Sequence, residues 1–456
     1  LDAFKLALQG LIARHEVLRT NFALVDGEPQ QIIHDSFDLP YTEIDLIDLN
    51  LTADADKVAM MANEEATTPF DLSQDLMFRV RVIKLAHDAC IVLYTMHHIA
   101  SDGWSIAILN DEIQALYQAA LANETAVLPA LRVQFADYAM WQRQWLTGDL
   151  LEKQLGYWQQ QLKGAPMVHG LVLDKPRPAQ QSYAGHKFTQ IFDKPMTQQI
   201  KALCEQHEVT MFMFMETVFA VLLTRFGQNK DILIGSPMSG RNNKDLEPLI
   251  GFFVNSLVLR TDVTDNPTFS ELLQTNKRTI LQGYAHQHTP FDMLVERVRP
   301  ERNQNFNPVY QISFTAQVGK RNLLEFQPEL ESSTDAFEIK KTSIRFDLML
   351  NVKEVGEEMT LGWSYNAAIF NDDTVFSMAS SMRVLMEGIF ASLAKDPWEQ
   401  EGVAELPLVP STADTANQGE QEANLTAAPL CLHQMFESQV AANENRSALR
   451  FEGQEL

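Results

Sequence analysis

Seven consecutive residues carry the side chains best suited to chemistry in this 456-residue chain: His97-His98-Ile99-Ala100-Ser101-Asp102-Gly103. Imidazole titrates near neutral pH, so a histidine here could take a proton from an attacking nucleophile. Asp102 could hold a histidine in one tautomer, or it could form a structural ion pair. Gly103 would let its backbone N–H approach a reacting oxygen. The heptad therefore predicts acid–base chemistry centred on a histidine.

The elements on either side of the heptad predict how these side chains are presented. Cys90–Met96 is a mostly apolar run that indicates a buried strand. Successive side chains of a strand point to opposite faces, so His97 and His98 cannot both face one substrate. One imidazole is therefore predicted to be catalytic and the other packed. Beyond Gly103, apolar residues recur at three- and four-residue spacing, which predicts a helix capped by Ser105.

The heptad alone also fits a structural role or a metal site. A buried histidine is more often a satisfied core residue than a catalyst, and a motif this short occurs by chance. Metal binding fits less well, because adjacent histidines diverge on a strand and neither an HExxH helix nor a Cys/His cluster accompanies them. We therefore predict no bound metal.

Composition argues against several kinds of partner. The chain has 36 Lys and Arg against 60 Asp and Glu, a net charge of −24, which disfavours nucleic acid and anionic membrane surfaces. The longest apolar stretch, Met211–Phe226, is too short and too polar for a membrane span and indicates a core helix. Cys90, Cys204 and Cys431 are widely spaced, so we expect no disulfide framework and a cytoplasmic protein.

Two further patterns lead to structural expectations. A turn is predicted through Gly235, Pro237 and Gly240, between the strands predicted at 232–234 and 253–259. Arg14, His15 and Arg19 form a pattern typical of an ordinary charged face at a helix end, and they are not expected to act directly in catalysis.

Several separate motifs, in a fixed order, resemble those of the condensation domains of nonribosomal peptide synthetases. The matching blocks are residues 14–22 (RHExLRTxF in the family), 96–105 (MHHxxSDGWS), 135–141 (YxDYAxW), 250–260 (IGxFVNTxxxR) and 286–292 (HQDxPFE). In the last block, His288 stands where the family has aspartate. The resemblance covers nearly the whole chain.

The resemblance implies an α/β fold of two lobes, each like a chloramphenicol acetyltransferase subunit, which form a pseudo-dimer with a central channel. A connector at 164–178 predicts lobes at 1–165 and 166–395. Residues 396–429 are polar and poor in aromatics, which predicts a linker, and residues 430–456 resemble the start of an adenylation domain. Because residue 1 is leucine and the first helical segment has no cap, we expect the sequence to begin within a longer protein.

The activity implied by the resemblance is peptide-bond formation between a carrier-bound acyl or peptidyl thioester and the α-amine of a carrier-bound aminoacyl group. The implied active-site residues are His98 and Gly103 as catalytic groups and His97, Asp102, Arg241 and Arg260 as supporting groups. The two arginines are alternative candidates for the ion pair that a buried aspartate requires.

The same resemblance implies the partners. Phosphopantetheine arms on upstream and downstream peptidyl carrier proteins deliver the substrates, an adenylation domain adjoins in the same chain, and no cofactor is bound permanently. The motifs at 97–105 and 250–260 look most like the subtype that joins an L-configured donor to an L-configured acceptor.

Three other functions remain as alternatives. An acyl-CoA-dependent acyltransferase shares the HxxxD histidine, an epimerization domain has a related motif, and a catalytically silent recruitment domain is a relative of this family. The sequence Gly103-Trp104-Ser105 and the adenylation-like end favour condensation over the first two. The intact His98 and Asp102 argue against the third.

Overall fold

The computed structural model describes residues 1–47, 55–300, 303–317, 339–410, 450–451 and 454–455. Two compact units are present, Leu1–Leu408 and Val409–Leu456. In the second unit, Arg450–Phe451 pairs antiparallel with Gln454–Glu455. The remainder of the predicted adenylation start at 430–456, and the predicted linker from 411 onward, lie outside the described residues.

Helices and strands are interspersed throughout the first unit. The helices are α1 (Asp2–Arg14), α2 (Ala55–Thr67), α3 (Gly103–Ala122), α4 (Phe135–Trp145), α5 (Gly148–Gln161), α6 (Lys194–Gln206), α7 (Met211–Phe226), α8 (Phe269–Ala285), α9 (Phe291–Val298) and α10 (Asp372–Leu393). The strands are β1 (Thr20–Val25), β2 (Glu28–Ile33), β3 (Tyr41–Asp45), β4 (Phe78–Lys84), β5 (Cys90–Met96), β6 (Ala184–Phe192), β7 (Asp231–Met238), β8 (Asn255–Asp262), β9 (Ile312–Gln317), β10 (Lys340–Ser343), β11 (Leu348–Val355) and β12 (Glu358–Asn366). This mixture confirms the predicted α/β class.

The strand that leads to the two histidines belongs to a small sheet. In the described part of the chain, β4 lies between β3, to which it is parallel, and β5, to which it is antiparallel. Phe78 begins β4 opposite Met96, the last residue of β5, so the chain leaves the sheet at His97. Leu11 of α1 and Leu109 of α3 lie in the core shared with this sheet. The predicted order of strand, loop and helix is confirmed, but β5 is only partly buried and not the buried strand that its apolar sequence predicted.

A larger sheet forms from the later strands. Within the described residues its order is β10-β6-β12-β11-β9-β7-β8. Helix α7 contributes to the core of this part of the chain and is buried from Met213 to Thr224. Thr210 caps it by accepting a 3.2 Å hydrogen bond from the Met213 N–H, and Gly227 follows its last residue. The predicted core helix is confirmed.

We find no single helix among the described residues that is long and apolar enough to cross a membrane. Helices α6 and α7 together meet the length and composition requirement, but a bend of 106° separates them. Helix α7, the more apolar of the two, is covered by protein on nearly all sides.

One carboxyl group lies inside helix α7. Glu216 is 1% exposed, and its Oε2 accepts a 3.2 Å hydrogen bond from Asn276 Nδ2. Its Oε1 has no hydrogen-bond partner among the described residues. Burial raises the pKa of Glu216 to about 8, against the lowering effect of Asn276, so the group is largely protonated at neutral pH.

The predicted turn through Gly235, Pro237 and Gly240 is wrong for its first two residues, because both lie within strand β7. Gly240 lies beyond the strand and has a positive φ of 66°, which favours glycine. A Cβ atom on residue 235 would lie 1.9 Å from the Tyr310 ring. The glycine therefore makes room for an aromatic side chain from a distant part of the sequence, and the strand continues to Met238.

The predicted start of the linker at residue 396 is also wrong. The first compact unit continues to Leu408, with Val403 and Leu406 buried in its core. The Val403 N–H donates a 2.9 Å hydrogen bond to the Pro267 carbonyl oxygen. Residues 397–408 are thus held by the larger unit, whereas the division of that unit into lobes at 165/166 stays a prediction.

Candidate active site

His98 lies in the turn that follows β5, where a backbone carbonyl fixes its ring. Its Nδ1 lies 2.6 Å from the Ser101 carbonyl oxygen. Because a carbonyl oxygen only accepts, Nδ1 must carry the hydrogen, and in the neutral ring Nε2 is then the nitrogen with the lone pair. The turn itself is closed by a 3.0 Å hydrogen bond from the Ala100 N–H to the His97 carbonyl. This tautomer is the one that can accept a proton at Nε2.

His97 uses different partners from its neighbour. Its Nδ1 accepts a 3.0 Å hydrogen bond from the Ile99 N–H, and its ring meets Phe70 edge to face at 5.7 Å. Partial burial lowers the pKa of His97, and His98 and Arg345 lower it further. A neutral His97 that packs beside the loop agrees with the expected divergence of two adjacent strand residues.

Asp102 is fully buried and joins two parts of the chain. Its Oδ1 accepts hydrogen bonds from the Ser105 N–H (2.9 Å) and hydroxyl (2.8 Å), which caps the start of α3. Its Oδ2 accepts from Arg241 Nη1 (2.6 Å) and from the Phe253 N–H (3.1 Å). These four donors occupy the lone-pair positions of the carboxylate. The aspartate therefore acts as a junction between the histidine loop and residues beyond 240.

The predicted cap of helix α3 is corrected by this arrangement. Asp102, not Ser105, is the N-cap, and Ser105 is the third helical residue. The Ser105 hydroxyl in turn lies 3.3 Å from the Asp102 N–H, which completes a reciprocal capping box. Both residue types favour helix starts, and the aspartate takes the capping position because its side chain reaches the N–H three residues ahead.

Arg241 is the arginine that pairs with Asp102, and both side chains are fully buried. Its Nη2 donates to the Leu249 carbonyl oxygen at 3.1 Å, and its guanidinium lies 4.3 Å from the centre of the Phe253 ring. Burial lowers the pKa of Arg241, while Asp102 acts in the opposite direction. The guanidinium stays charged because its pKa starts far above neutrality.

Arg260, the other candidate, is not part of this network. It pairs with Asp231 at 2.8 Å, on the strand next to its own. Its Nη1 donates to the Gln161 carbonyl oxygen at 2.9 Å. The alternative in which Arg260 supports Asp102 is therefore wrong, because strand β8 has already directed this side chain to a nearer carboxylate.

The segment after Arg241 packs tightly against the start of α3. The Gly251 N–H donates to the Ser105 hydroxyl oxygen at 3.1 Å, and that hydroxyl lies 3.0 Å from the Gly251 carbonyl oxygen. A Cβ atom on residue 251 would come within 2.5 Å of the Phe135 ring. Glycine at this position thus leaves room for the Phe135 and Phe253 rings. Gly103, the other glycine of interest, is buried as the first residue of α3.

Phe252 is a site residue that sequence reasoning missed. Its ring meets the His98 imidazole edge to face, with 5.0 Å between ring centres and 81° between planes. In the sequence it stands within an apolar run, Ile250-Gly251-Phe252-Phe253-Val254, where nothing separates a core phenylalanine from one that faces the site. Phe253 beside it is buried, whereas Phe252 is 40% exposed.

A second network of hydrogen bonds and ion pairs holds helix α3 through Glu112. Glu112 of α3 accepts from His15 Nε2 at 2.8 Å and from Arg14 Nε at 3.1 Å. His15 Nδ1 accepts a long, 3.4 Å hydrogen bond from the Ile250 N–H. Burial alone raises the pKa of Glu112, but His15 and Arg14 outweigh it and lower the pKa. Arg14 and His15 therefore have the structural position expected of them, and Glu112 is the partner that the sequence did not indicate.

No group of three or more His, Cys, Asp or Glu side chains with the geometry of a metal site occurs among the residues the structure describes. The chemistry available at this site is that of an imidazole oriented by the Ser101 carbonyl at the end of a strand. It stands next to a buried ion pair that fixes the backbone and a partly exposed phenyl ring.

Comparison with known proteins identifies the family. The condensation domain model matches residues 1–405. A linear gramicidin synthase of Brevibacillus parabrevis is 39% identical over 411 residues, which is 90% of this chain and 8% of that protein. A phosphinothricin tripeptide synthetase of Streptomyces viridochromogenes is 36% identical over 90% of this chain and 37% of its own length. The chain thus spans only a minor part of these relatives.

Solved structures agree on the fold. The X-domain from teicoplanin biosynthesis has a TM-score of 0.74 at 25% identity, with 90% of each chain covered. A four-domain nonribosomal peptide synthetase bound to AMP and glycine has a TM-score of 0.74 at 21% identity, over 98% of this chain and 34% of that one.

The architecture is therefore the mixed α/β pseudo-dimer of two chloramphenicol-acetyltransferase-like lobes, as predicted. Condensation domains of nonribosomal peptide synthetases catalyse amide-bond formation, an acyltransferase reaction. Together, the family match over residues 1–405 and the relatives above 30% identity show that this chain belongs to the condensation domain family of nonribosomal peptide synthetases.

Proposed function

We propose that this domain transfers the acyl or peptidyl group of an upstream carrier thioester to the α-amine of an aminoacyl group on a downstream carrier. The observation that carries the proposal is the 2.6 Å contact of His98 Nδ1 with the Ser101 carbonyl, which makes Nε2 the proton-accepting atom. Phosphopantetheine arms on the two carriers hold the substrates, so the reaction needs no permanently bound cofactor.

His98 manages the proton of the attacking amine. An amine must be neutral to attack, and it loses a proton as the C–N bond forms. Nε2 can accept that proton or align the N–H by a hydrogen bond. The thioester carbonyl becomes a tetrahedral oxyanion, the C–S bond then breaks, and the donor thiol leaves with a proton. The products are the amide on the downstream carrier and a free phosphopantetheine thiol upstream.

Asp102 and Arg241 have a positioning role in this proposal. The four hydrogen bonds to the carboxylate leave it no lone pair for proton relay, and its neighbour Ser101 supplies the carbonyl that orients the imidazole. Gly103, at the N-terminus of α3, brings backbone N–H and the positive end of the helix dipole towards the developing oxyanion. His97 supports the loop as a neutral packed ring.

The proposal also covers the location of the domain, its neighbour in the chain and its subtype. We place the domain in the cytoplasm, next to an adenylation domain in the same chain, and assign it to the subtype that joins L-configured donors to L-configured acceptors. Support for the adenylation neighbour comes from a second linear gramicidin synthase of Brevibacillus parabrevis, which is 35% identical over 98% of this chain and only 9% of its own length. That match extends past the condensation domain model, which ends at residue 405.

The proposal is tested with two separately loaded carrier proteins, one with an acyl donor and one with an L-aminoacyl acceptor. Wild-type protein should form the amide, and His98→Ala should lower the rate by about 10²- to 10⁴-fold, the usual contribution of a positioned acid–base group. Near-identical denaturation curves would show that the variant is folded. Acyl transfer from coenzyme A, without product from carrier-bound donors, would replace the proposal with a free-standing acyltransferase.

A further inference from the structure

Phe252 combines a partly exposed phenyl ring with a direct contact to His98. Its side chain is 40% exposed although its neighbours Gly251 and Phe253 are buried. Leaving that much of a phenyl ring in water is unfavourable, since apolar surface is stabilised by removal from solvent. The ring also meets His98 edge to face at 5.0 Å. It is therefore an apolar surface presented directly beside the candidate catalytic imidazole.

The backbone on both sides of Phe252 is immobilised by the network that holds the histidine loop. The Gly251 N–H donates to Ser105 Oγ at 3.1 Å, and the Phe253 N–H donates to Asp102 Oδ2 at 3.1 Å. The Phe135 ring fills the space where residue 251 would carry a Cβ atom. The position of the phenyl ring is thus set by the same groups that set the position of the imidazole. The two rings form one fixed unit.

This unit determines what can lie next to the reacting amine. An amine nitrogen hydrogen-bonded to His98 Nε2 sits about 3 Å from that atom. Its Cα and side chain begin one and two bonds further on, within van der Waals reach of the surface around the imidazole. The partly exposed Phe252 ring is an apolar group in direct contact with this imidazole.

We propose that Phe252 is the residue that selects the acceptor amino acid by the size of its side chain. The inference rests on the proposed function, because it assumes that the acceptor amine binds at His98. The phenyl ring forms an apolar wall, against which small and medium-sized apolar acceptor side chains pack, while the largest ones meet the ring. A shorter residue at 252 should admit larger acceptors, and a larger residue should exclude them.

The test measures kcat/KM for glycyl, alanyl, leucyl and tryptophanyl acceptors on the same downstream carrier, with one donor held constant. In Phe252→Ala the ratio of tryptophanyl to alanyl kcat/KM should rise on the order of tenfold, the discrimination that one apolar contact provides. In Phe252→Trp the same ratio should fall. Phe252→Tyr keeps the ring and should leave the ratio within about twofold of wild type.

If the ratio of tryptophanyl to alanyl kcat/KM changes in opposite directions in the Ala and Trp variants, Phe252 selects the acceptor. A general loss of activity would not produce this pattern. A ring that only steadied His98 would change all acceptors by one common factor, and the ratio would stay constant. Trp398→Ala is the matched control, because this 80% exposed aromatic lies in the short helix Pro397–Glu399, outside the site. Its acceptor ratio should equal that of wild type.

The possible outcomes distinguish the inference from the function on which it rests. If wild-type protein forms no amide with any acceptor, the proposed function fails. If wild-type protein forms amides and the ratio is the same in Phe252→Ala and Phe252→Trp, selection by Phe252 is refuted while the function stands. Should Phe252→Ala unfold, the Trp and Tyr variants alone decide, since a constant ratio in Phe252→Trp refutes the inference.

Discussion

The ion pair between Asp102 and Arg241 offers the sharpest test of how the site is held together. Asp102→Asn keeps the shape and the helix-capping oxygen but removes the charge, so that Arg241 is left buried without a counter-charge. Breaking a buried pair in this way costs about 3–5 kcal/mol of unfolding free energy. Asp102→Ala also removes the cap of α3 and should cost about 1 kcal/mol more.

The double variant shows whether the cost comes from the unpaired charge. In Asp102→Asn with Arg241→Met, no buried charge remains, and methionine can pack against the Phe253 ring that the guanidinium covers at 4.3 Å. The double variant should therefore be more stable than the sum of the two single losses predicts, by about 2 kcal/mol. Chemical denaturation followed by tryptophan fluorescence gives each free energy.

Arg260→Met is the matched control, because it removes an arginine from a pair with Asp231 whose side chains are partly exposed. Such a pair contributes about 1 kcal/mol or less, and amide formation should be unaffected. The reasoning is refuted if Asp102→Asn costs no more than this control, or if the two single losses simply add. Loss of amide formation in Asp102→Asn under conditions where it remains folded would further indicate that the carboxylate positions the His98 loop.

Two more predictions concern buried groups away from that pair. Gly251→Ala should lose about 1–3 kcal/mol in denaturation experiments, because its Cβ would lie 2.5 Å from the Phe135 ring; an unchanged midpoint would mean that this ring can move aside without cost. For Glu216, burial raises the pKa from its ordinary value of 4.5 to about 8, so the folded state binds more protons than the unfolded state between these values. Stability should thus fall as pH rises through that window, and Glu216→Gln should flatten the profile measured from about pH 5 to about pH 8.5. Parallel profiles for the two proteins would contradict this assignment.

Local rules were sufficient for the divergence of the two histidines, although they placed the cap of helix α3 at Ser105 instead of Asp102. The alternation of side chains on a strand predicts that His97 and His98 find different surroundings, and they contact Phe70 and Phe252 respectively. The same kind of reasoning located helix α7 between Thr210 and Gly227. These features depend on residues within one or two turns of each other, which is the range over which a pattern in a sequence carries information.

Contacts between residues far apart in the sequence could not be predicted by such local rules. Arg241 and Arg260 are equally plausible by residue type, and the choice depends on the path of a segment that has no periodicity of its own. Gly235 resembles a turn residue until Tyr310, 75 residues later in the chain, is known to lie over it. Phe252 is hidden in an apolar run for the same reason. In each case the deciding contact comes from a part of the chain that the local pattern does not include.

The Asp102–Arg241 contact has a consequence for the order of events on the ribosome. The two residues are 139 positions apart, and chains grow at about 5–20 residues per second. On the order of ten seconds therefore pass in which the strand, the turn and the start of α3 exist without the group that neutralises their carboxylate. The Asp102–Arg241 ion pair can form only after Arg241 has been synthesised, so a nascent chain that ends before residue 241 carries both histidines without the contact that joins their loop to the rest of the domain.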